Sequence, residues 1–465
     1  MGVRKGQDLE LEIESTAHGG AGVARMDGFV VFVRGGIPGD RLLVRVFRKK
    51  KAYAEARVLE VLRPSPDRTT PPCPYAGTCG GCTWQHVAYD RQLAYKRTHV
   101  AEAVERIGGV EGVPVYETLP SERVFGYRNK MEFSFSDRRW LLPEELDDPA
   151  AEKGFALGLH VPGTFHKIID VEACLLQAPR GNDILGEVKA FARQSGLPAY
   201  GLKTHQGFWR FLTLRHSVSE DRWMVNVVTS EHRPEVMEAL AETLTARFPE
   251  IRTVVNSINT RRAAIAVGER EHVPAGDGVL EDRIGPYRFR ISAGSFFQTN
   301  TRGAETLYRT VAGFAGLTGG ETVLDLYSGT GTIAIFLSPQ ARQVIGAELV
   351  PDAVEDARQN CAANGVSNCR FIAGDLRETL SDLDRRADVL VLDPPRAGMH
   401  KDVLAGVLER GCPRVVYVSC NPATLARDLG VLSEAYRVEE VQPVDLFPHT
   451  YHVEAVARLE KKVEV

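Results

Sequence analysis

Cys420 stands where a thiol could act as a nucleophile. The segment from Val415 to Ser419 before it is mostly apolar, and Asn421-Pro422 after it commonly begins a helix. The sequence therefore predicts a buried strand that ends at the cysteine and a helix that starts directly after it. Unpaired N–H groups and the positive end of the helix dipole favour the thiolate there, which is the nucleophilic form. A small buried side chain that completes a core strand is the alternative, and position alone leaves both interpretations open.

A glycine-rich turn earlier in the chain could hold a nucleoside. In ETVLDLYSGTGTIAIFL a predicted strand leads through Gly329 and Gly331 into a helix, and the next predicted strand ends near Glu348. A carboxylate about 20 residues beyond such a turn can hold ribose hydroxyls in a doubly wound fold. Ala334 replaces the third glycine of a dinucleotide motif, which slightly favours a nucleoside without a pyrophosphate, such as S-adenosylmethionine.

Strands that alternate with helices must position these residues. This alternation runs through the C-terminal part of the chain and predicts an α/β domain with a parallel sheet, whose ligands bind at the carboxyl ends of the strands. Asp375, Asp393 and Cys420 each end a predicted strand, so we expect them at one edge of the sheet. Asp393 opens the segment DPPRAG, in which two prolines stiffen the loop beside the pocket.

Four segments carry a specific resemblance to a known family. SFFQTN, LVLDPPRAG, SCNPATLARD and FPHTYHVE resemble motifs of the RNA 5-methyluridine methyltransferases, and the resemblance covers nearly the whole chain. It implies a Rossmann-like class I methyltransferase domain that uses S-adenosylmethionine, with Cys420 as nucleophile and Glu454 as general base. Thr332 and Asp375 stand where some relatives have Asn. The positions that the resemblance assigns to the methyl donor are Gln298, Tyr327, Thr332, Glu348, Asp375 and Asp393.

Uracil methylation explains the need for a cysteine and a carboxylate. C5 of uracil is too weak a nucleophile to take a methyl group directly, whereas addition of a thiolate at C6 makes it an enolate. After transfer C5 still carries its hydrogen, so a base must remove it before the cysteine can leave. Glu454 is the predicted base, although a surface glutamate on an edge strand is the alternative. His449 and His452 could serve instead, and the sequence does not order the three.

Clustered cysteines indicate a metal site. Cys73, Cys79 and Cys82 have the spacing C-x5-C-x2-C, and Cys174 lies far downstream. The sequence shows no signal peptide and no apolar spanning segment, so we expect reduced thiols, a cytoplasmic location and no membrane partner. Spacing leaves zinc and an iron–sulfur cluster open. Relatives with the same cysteine pattern imply a [4Fe-4S] cluster held by all four cysteines. Radical enzymes leave one iron of their cluster open to bind the methyl donor, so a fourth ligand, Cys174, argues against radical chemistry.

Contacts with RNA are expected from local patches. The formal net charge of −4 argues against an overall basic surface, but residues 41–57 carry seven Lys or Arg and one acid. This N-terminal part has short β segments broken by glycine turns and resembles a TRAM domain, a five-stranded barrel of the oligonucleotide-binding kind. The segments 123–139 and 208–216 mix basic and aromatic residues, on which single-stranded bases can stack. Plain amphipathic strands are an equal alternative for the aromatic residues. The predicted RNA-binding residues are Arg48, Lys49, Lys50, Lys51, Arg128, Lys130, Arg210 and Arg215.

The length of 465 residues suggests about three domains. We predict a TRAM-like barrel over residues 1–63 and a central α+β domain with the cluster over residues 64–90 and 119–286. The methyltransferase domain is predicted over residues 91–118 and 287–465. A separate RNA-holding part is expected because the target base must leave its stack to reach the cysteine.

The resemblance implies methyl transfer to C5 of a uridine in structured RNA. Bacterial relatives that combine the barrel with this cysteine pattern mostly act on 23S ribosomal RNA, whereas simpler relatives act on the T-loop of transfer RNA. We therefore expect ribosomal RNA, keep transfer RNA open, and expect no required protein partner. A non-catalytic RNA-binding protein would need neither Cys420 nor Glu454. An amino-group methyltransferase would carry an aromatic residue where Arg396 stands.

Overall fold

Residues 3–380, 383 and 387–463 are described by the computed structural model. Their strands form three sheets and a separate hairpin. Short 3-10 helices lie at Pro143–Glu145 and Ser338–Gln340. None of the helices in these ranges is long and apolar enough to cross a membrane.

The N-terminal sheet is built from β1 (Asp8–Glu12), β2 (Ser15–Thr16), β3 (Gly22–Met26), β4 (Phe29–Arg34), β5 (Arg41–Lys49) and β6 (Tyr53–Arg63). The order is β1-β5-β6-β4-β3-β2. Leu42, Val44 and Val46 alternate inward along β5 and are fully buried, as their period of two predicts. The sheet has six strands where five were expected, because the two residues of β2 are too few to show a periodicity.

Helix α1 (Tyr89–Arg106) leads to a second sheet. Its elements are β7 (Lys130–Ser136), β8 (Ala156–His160), β9 (Ile168–Asp170), α2 (Pro179–Gln194), β10 (Trp209–Ser217), β11 (Arg222–Thr229), α3 (Pro234–Arg247), β12 (Ile251–Ile258) and β13 (Arg270–Ala275). The strand order is β13-β12-β11-β10-β7-β8-β9. Phe133, Trp209 and Leu212 of the sheet are buried with Ile184 of α2 and Leu240 of α3 in one apolar core.

The hairpin of β14 (Val279–Ile284) and β15 (Tyr287–Ser292) comes next. Leu280 and Phe289, one from each strand, are buried in the same core as the C-terminal sheet. The domain boundary expected at Gly285-Pro286 falls in the turn between these strands. The same core includes Met224 and Val255 of the second sheet, so the hairpin packs against both sheets.

The C-terminal part alternates strands and helices, as predicted. Its elements are α4 (Thr301–Ala315), β16 (Thr322–Leu326), α5 (Thr332–Leu337), β17 (Gln343–Glu348), α6 (Pro351–Ala363), β18 (Cys369–Ala373), α7 (Leu376–Thr379), β19 (Val389–Leu392), α8 (Lys401–Arg410), β20 (Arg414–Ser419), α9 (Pro422–Leu432), β21 (Tyr436–Val444) and β22 (Glu454–Lys461). The order is β18-β17-β16-β19-β20-β22-β21, with β16 to β20 parallel and β22 antiparallel to both of its neighbours, β20 and β21. The chain changes direction between β16 and β19, which is where ligands bind in such sheets.

Helix α1 packs against α9 of the C-terminal part. Backbone bridges join Val115 to Val441 and Leu119 to Val444 along β21. Near them Lys96 forms an ion pair with Asp445 at 2.6 Å, and both side chains are fully buried. The segment between the clustered cysteines and the second sheet is therefore attached to the C-terminal sheet.

Candidate active site

Cys420 and Glu454 are neighbours at the carboxyl end of the C-terminal sheet. Ser419, the last residue of β20, pairs with Ala455 of β22 in antiparallel register. Continuing that register by one position sets Cys420 opposite Glu454. The glutamate is buried with 6% of its surface exposed, whereas the cysteine is partly exposed. A thiol and a buried carboxyl group thus lie side by side.

The thiolate expected at Cys420 is wrong for the protein without ligands. Burial raises the pKa of the Cys420 thiol to about 11, and the charges of Glu454 and Asp393 add to the rise while Arg396 opposes it. At the N-terminus of α9 the Asn421 side chain accepts from Ala423 N at 3.1 Å, which occupies one of the free N–H groups of the helix. Without ligands the Cys420 side chain is therefore a thiol and not the expected thiolate.

Both carboxyls near the thiol are also shifted towards their neutral forms. Burial, and then the charge of Asp393, raise the pKa of Glu454 to about 8. Burial raises the pKa of Asp393 to about 7. The pKa values of the two carboxyls thus lie close to neutral pH, where acid–base groups are most effective.

The glycine-rich turn lies where the sequence predicts it. Glu348 accepts hydrogen bonds from Gly329 N at 3.0 Å and Val350 N at 2.9 Å, so its carboxylate is fixed at the end of β17. Gly331 has φ 78°, and a Cβ there would meet the ring of Phe371 at 2.8 Å. Close packing beneath the turn therefore requires glycine at that position.

The other predicted donor residues lie around the same edge. Tyr327 follows β16 in the left-handed region with φ 66°. Thr332 begins α5, and its hydroxyl shares a hydrogen bond with Tyr308 at 2.9 Å. Bonds from the side chain and backbone of Arg377 lower the pKa of Asp375 to about 2. The backbone carbonyl of Gln298 accepts a hydrogen bond from Asn129 Nδ2 at 2.8 Å, which fixes the main chain at this residue.

Sequence reasoning missed two residues of this edge. Tyr308 was overlooked because a tyrosine in an amphipathic helix suggests core packing. Asp325 lies within β16 and is fully buried, with no hydrogen-bond partner for either carboxylate oxygen among the described residues. Burial holds its pKa well above the usual range, and Asp393 and Glu348 add to this. A charged residue inside an apolar strand was the available signal.

The four predicted metal ligands line one cavity of about 140 Å³ beside the second sheet. Burial raises the pKa of Cys79 to about 11 and of Cys82 to about 12, and it also raises that of Cys174. Among the described residues, no three His, Cys, Asp or Glu side chains are arranged to hold a metal ion. Apolar walls and four sulfur donors fit an iron–sulfur cluster in chemical type.

The predicted RNA-binding residues divide into two groups. Lys49, Lys50 and Lys51 are exposed at the turn between β5 and β6, where Arg48 pairs with Glu55 at 3.0 Å. Arg128 and Lys130 are partly exposed.

The prediction that Arg210 and Arg215 contact phosphates is wrong. Both side chains are buried, and their guanidinium groups donate to backbone carbonyl groups of the protein. Arg210 donates to the carbonyl oxygens of Asn259, Arg261 and Ala263. Arg215 donates to those of Ala293 and Ser295. Both guanidinium groups stabilise loops of the protein itself.

Comparison with known proteins gives a consistent result. The family "tRNA (Uracil-5-)-methyltransferase" matches residues 235–462, and the TRAM domain family matches residues 2–59. An uncharacterised RNA methyltransferase of Chlorobaculum tepidum is 44% identical over 98% of this chain and 97% of its own. Another, of Porphyromonas gingivalis, is 42% identical over 98% of this chain and 100% of its own.

A solved structure extends the likeness to three dimensions. It is the tRNA (uracil-54, C5)-methyltransferase of Pyrococcus abyssi in complex with S-adenosyl-L-homocysteine, 30% identical with a TM-score of 0.76. The match covers 97% of this chain and 100% of that one. These findings confirm the predicted class I methyltransferase fold and the N-terminal TRAM domain.

Proposed function

The chain belongs to the RNA uracil-5-methyltransferase family and uses S-adenosylmethionine, and from this premise we propose that it methylates C5 of a uridine through a covalent bond from Cys420 to C6. The observation that carries the proposal is the register of β20 and β22, which sets Cys420 opposite the buried Glu454. The proposed reaction needs a nucleophile and a base on the same face of the bound uracil. Opposite positions on paired strands put the side chains of Cys420 and Glu454 on one face of the sheet.

Bond making and breaking follow a simple sequence. The thiol proton of Cys420 passes to solvent and Sγ bonds to C6, which places an electron pair on the enolate of C5 and O4. C5 then attacks the methyl group, the S–CH₃ bond of the donor breaks, and S-adenosylhomocysteine forms. Glu454 removes the C5 proton, the C5–C6 double bond returns and Sγ leaves. The net reaction releases one proton.

Glu454 is a better candidate for the base than either histidine. The ring of His449 is stacked on Phe125 with centroids 4.3 Å apart, and its Nδ1 shares a hydrogen bond with Gln92. Burial lowers the pKa of His449 and of His452 to about 4, so both are weak bases. A carboxyl with a pKa of about 8 keeps enough basicity to accept the proton.

The donor site is rich in carboxyls, which suits a cation. S-adenosylmethionine carries a sulfonium and an ammonium group, and Asp325, Glu348, Asp375 and Asp393 lie around the switch point of the sheet. We assign ribose contacts to Glu348 and the remaining donor contacts to the predicted residues Gln298, Tyr327, Thr332, Asp375 and Asp393. Binding of a cation stabilises the ionised forms of the buried carboxyls.

A [4Fe-4S] cluster held by Cys73, Cys79, Cys82 and Cys174 is part of the proposal. One zinc ion would draw its thiolates to about 2.3 Å from a common centre. The described part of the chain has no such arrangement, although the four sulfur atoms share a cavity. The same finding gives no support to a cluster either, and the choice of a cluster over zinc rests on the resemblance of the cysteine pattern. The contribution of the cluster here is structural, since it would join the cysteine segment to the second sheet.

RNA is held by the N-terminal sheet and the second sheet in this account. The exposed lysines at the β5–β6 turn and the partly exposed Arg128 and Lys130 are the proposed phosphate contacts. The proposed domains keep the predicted division. They are a barrel over residues 1–63, a central domain, and a methyltransferase domain that includes residues 91–118.

We propose 23S ribosomal RNA as the first substrate and transfer RNA as the second. The first rests on the resemblance of the barrel and cysteine pattern to ribosomal enzymes. The second is favoured by the Pyrococcus abyssi structure, since a transfer RNA enzyme matches this chain over its whole length. That match means that chain architecture alone does not select ribosomal RNA.

Labelled S-adenosylmethionine tests the proposal directly. The protein is incubated with separate pools of unmodified 23S ribosomal RNA and transfer RNA, and the nucleosides are resolved by mass. Label in 5-methyluridine from the ribosomal pool is the expected result. Label only in the transfer RNA pool would reverse the order of substrates, and no 5-methyluridine in either would contradict the proposed reaction.

A further inference from the structure

The loop that leads into Glu454 is held by the segment that follows the clustered cysteines. We name residues 445–453, which join β21 to β22, the base loop. At its centre the carbonyl of His449 accepts from Thr83 N and Trp84 N, both at 2.9 Å. Thr83 directly follows Cys82, so the cysteine segment and the base loop meet through main-chain hydrogen bonds.

Gln92 of α1 joins the same two segments from inside the protein. Its side chain is fully buried. Nε2 donates to Trp84 O at 3.1 Å and to Val87 O at 2.8 Å, while Oε1 accepts from His449 N at 2.8 Å. One amide therefore satisfies backbone groups on both sides of the contact.

Other side chains, among them Lys96 and Tyr127, anchor the base loop without joining it to the segment after Cys82. Lys96 donates to Phe447 O at 3.0 Å and pairs with Asp445, which ties the start of the loop to α1. Tyr127 donates from its hydroxyl to Pro448 O at 3.2 Å. The loop is thus fixed at several points within a few residues of Glu454.

We propose that Gln92 is a positioning residue, which sets the place of the Glu454 carboxylate by holding the base loop against the cysteine segment. The inference rests on the proposed function, because it takes Glu454 as the base. Because its side chain is fully buried, Gln92 acts through His449 and the backbone that runs into β22 and not through contact with RNA.

Timing within the reaction gives this role a specific signature. Glu454 works only after the methyl group has moved, when the C5 proton must be removed. A displaced base therefore leaves methyl transfer intact and slows release of the RNA from Cys420. A general loss of folding would reduce both steps together.

The test compares Gln92→Met with Gln177→Met in single-turnover reactions with labelled S-adenosylmethionine and a 23S ribosomal RNA or transfer RNA transcript, whichever pool is methylated. Gln177 is a buried amide with 2% exposure that donates to Asn182 Oδ1, so it controls for loss of a buried glutamine. Transfer is read as label on RNA, and release as loss of the protein–RNA adduct on a denaturing gel. We expect Gln92→Met to slow release about 10- to 100-fold, as for a displacement of about 1 Å, with transfer unchanged.

Hydrogen exchange gives a second readout that does not depend on activity. Amides of residues 445–454 should exchange faster in Gln92→Met, while those of the core strand 414–419 should not change. Tyr127→Phe, which removes only one hydroxyl bond to the loop, should show a smaller effect in the same direction and serves if Gln92→Met does not fold.

Comparison with Glu454→Gln separates the possible failures. If Glu454→Gln accumulates adduct while Gln92→Met and Tyr127→Phe release RNA normally, Gln92 does not position the base. If Glu454→Gln itself releases RNA at the normal rate, the base role in the proposed function is wrong.

Discussion

Replacement of Glu454 by Gln should stabilise the protein, and more so as the pH rises. The carboxyl is buried beside Asp393, and its pKa rises from 4.5 to about 8 in the folded state. A carboxyl whose pKa is raised on folding favours the folded state fully below pH 4.5, and that contribution is lost as the pH rises through 8. A neutral amide of the same shape does not pay this cost.

The magnitude follows from the two pKa values. The cost of the glutamate, and hence the stabilisation by Glu454→Gln, is about 1 kcal/mol at pH 5, about 3 kcal/mol at pH 7 and about 5 kcal/mol at pH 9. For a unit of 150 to 250 residues, the gap in melting temperature should widen by roughly 8–16 °C between pH 5 and pH 9.

Thermal unfolding of the ligand-free protein at pH 5, 7 and 9, followed by circular dichroism, measures this gap. Glu460→Gln is the matched control, because it makes the same change on β22 where the carboxylate is partly exposed and pairs with Arg414 at 2.6 Å. The control should show no gain that grows with pH. A Glu454→Gln protein whose advantage stays constant from pH 5 to pH 9 would refute the buried, neutral carboxyl.

Further predictions concern the nucleophile, the donor, the cluster and the basic residues. Cys420→Ala should abolish methyl transfer while leaving S-adenosylmethionine binding unchanged by calorimetry; residual transfer would point to a different nucleophile. The cationic donor favours ionised Asp393, whose pKa is about 7 without ligand. The dissociation constant of S-adenosylmethionine should therefore rise as the pH falls below 7, by up to about tenfold per pH unit. S-adenosylhomocysteine lacks the sulfonium charge and should show a weaker dependence. Cys174→Ala should remove iron, measured by elemental analysis after anaerobic purification, and zinc in the unmodified protein would overturn the cluster. Lys50→Ala should weaken RNA binding and lower its salt slope by about 1 without a change in stability. Arg210→Gln should instead cost about 2–4 kcal/mol of stability with RNA affinity retained, because buried carbonyl groups lose their donors.

Local patterns predict the catalytic sheet well. The switch from apolar strand to helix at Cys420 and the spacing from the glycine turn to Glu348 depend on neighbours in sequence, so they can be read without a structure. Both residues lie at the ends of parallel strands, where the alternation of strands and helices predicts them. The resemblance then supplies roles that spacing cannot.

Properties that depend on distant residues escape a sequence reading. The raised pKa of Cys420 comes from burial and from the carboxyls of Glu454 and Asp393, which only the folded sheet brings near it. Arg210 and Arg215 suggested an outward-facing basic surface because charged residues usually face solvent. Strand β10 is buried on both faces, so its arginines turn to backbone carbonyl groups instead.

The covalent step can be tested with RNA that carries 5-fluorouridine in place of uridine. Fluorine stands where Glu454 must remove a proton, so the cysteine cannot leave once the methyl group has moved. The account predicts a complex that survives denaturation, carries label from S-adenosylmethionine, and maps by mass to the tryptic peptide of residues 415–427, with Cys420 as the modified residue. Methylation of ordinary uridine RNA with no adduct on the fluorinated RNA, or an adduct at another cysteine, would contradict it.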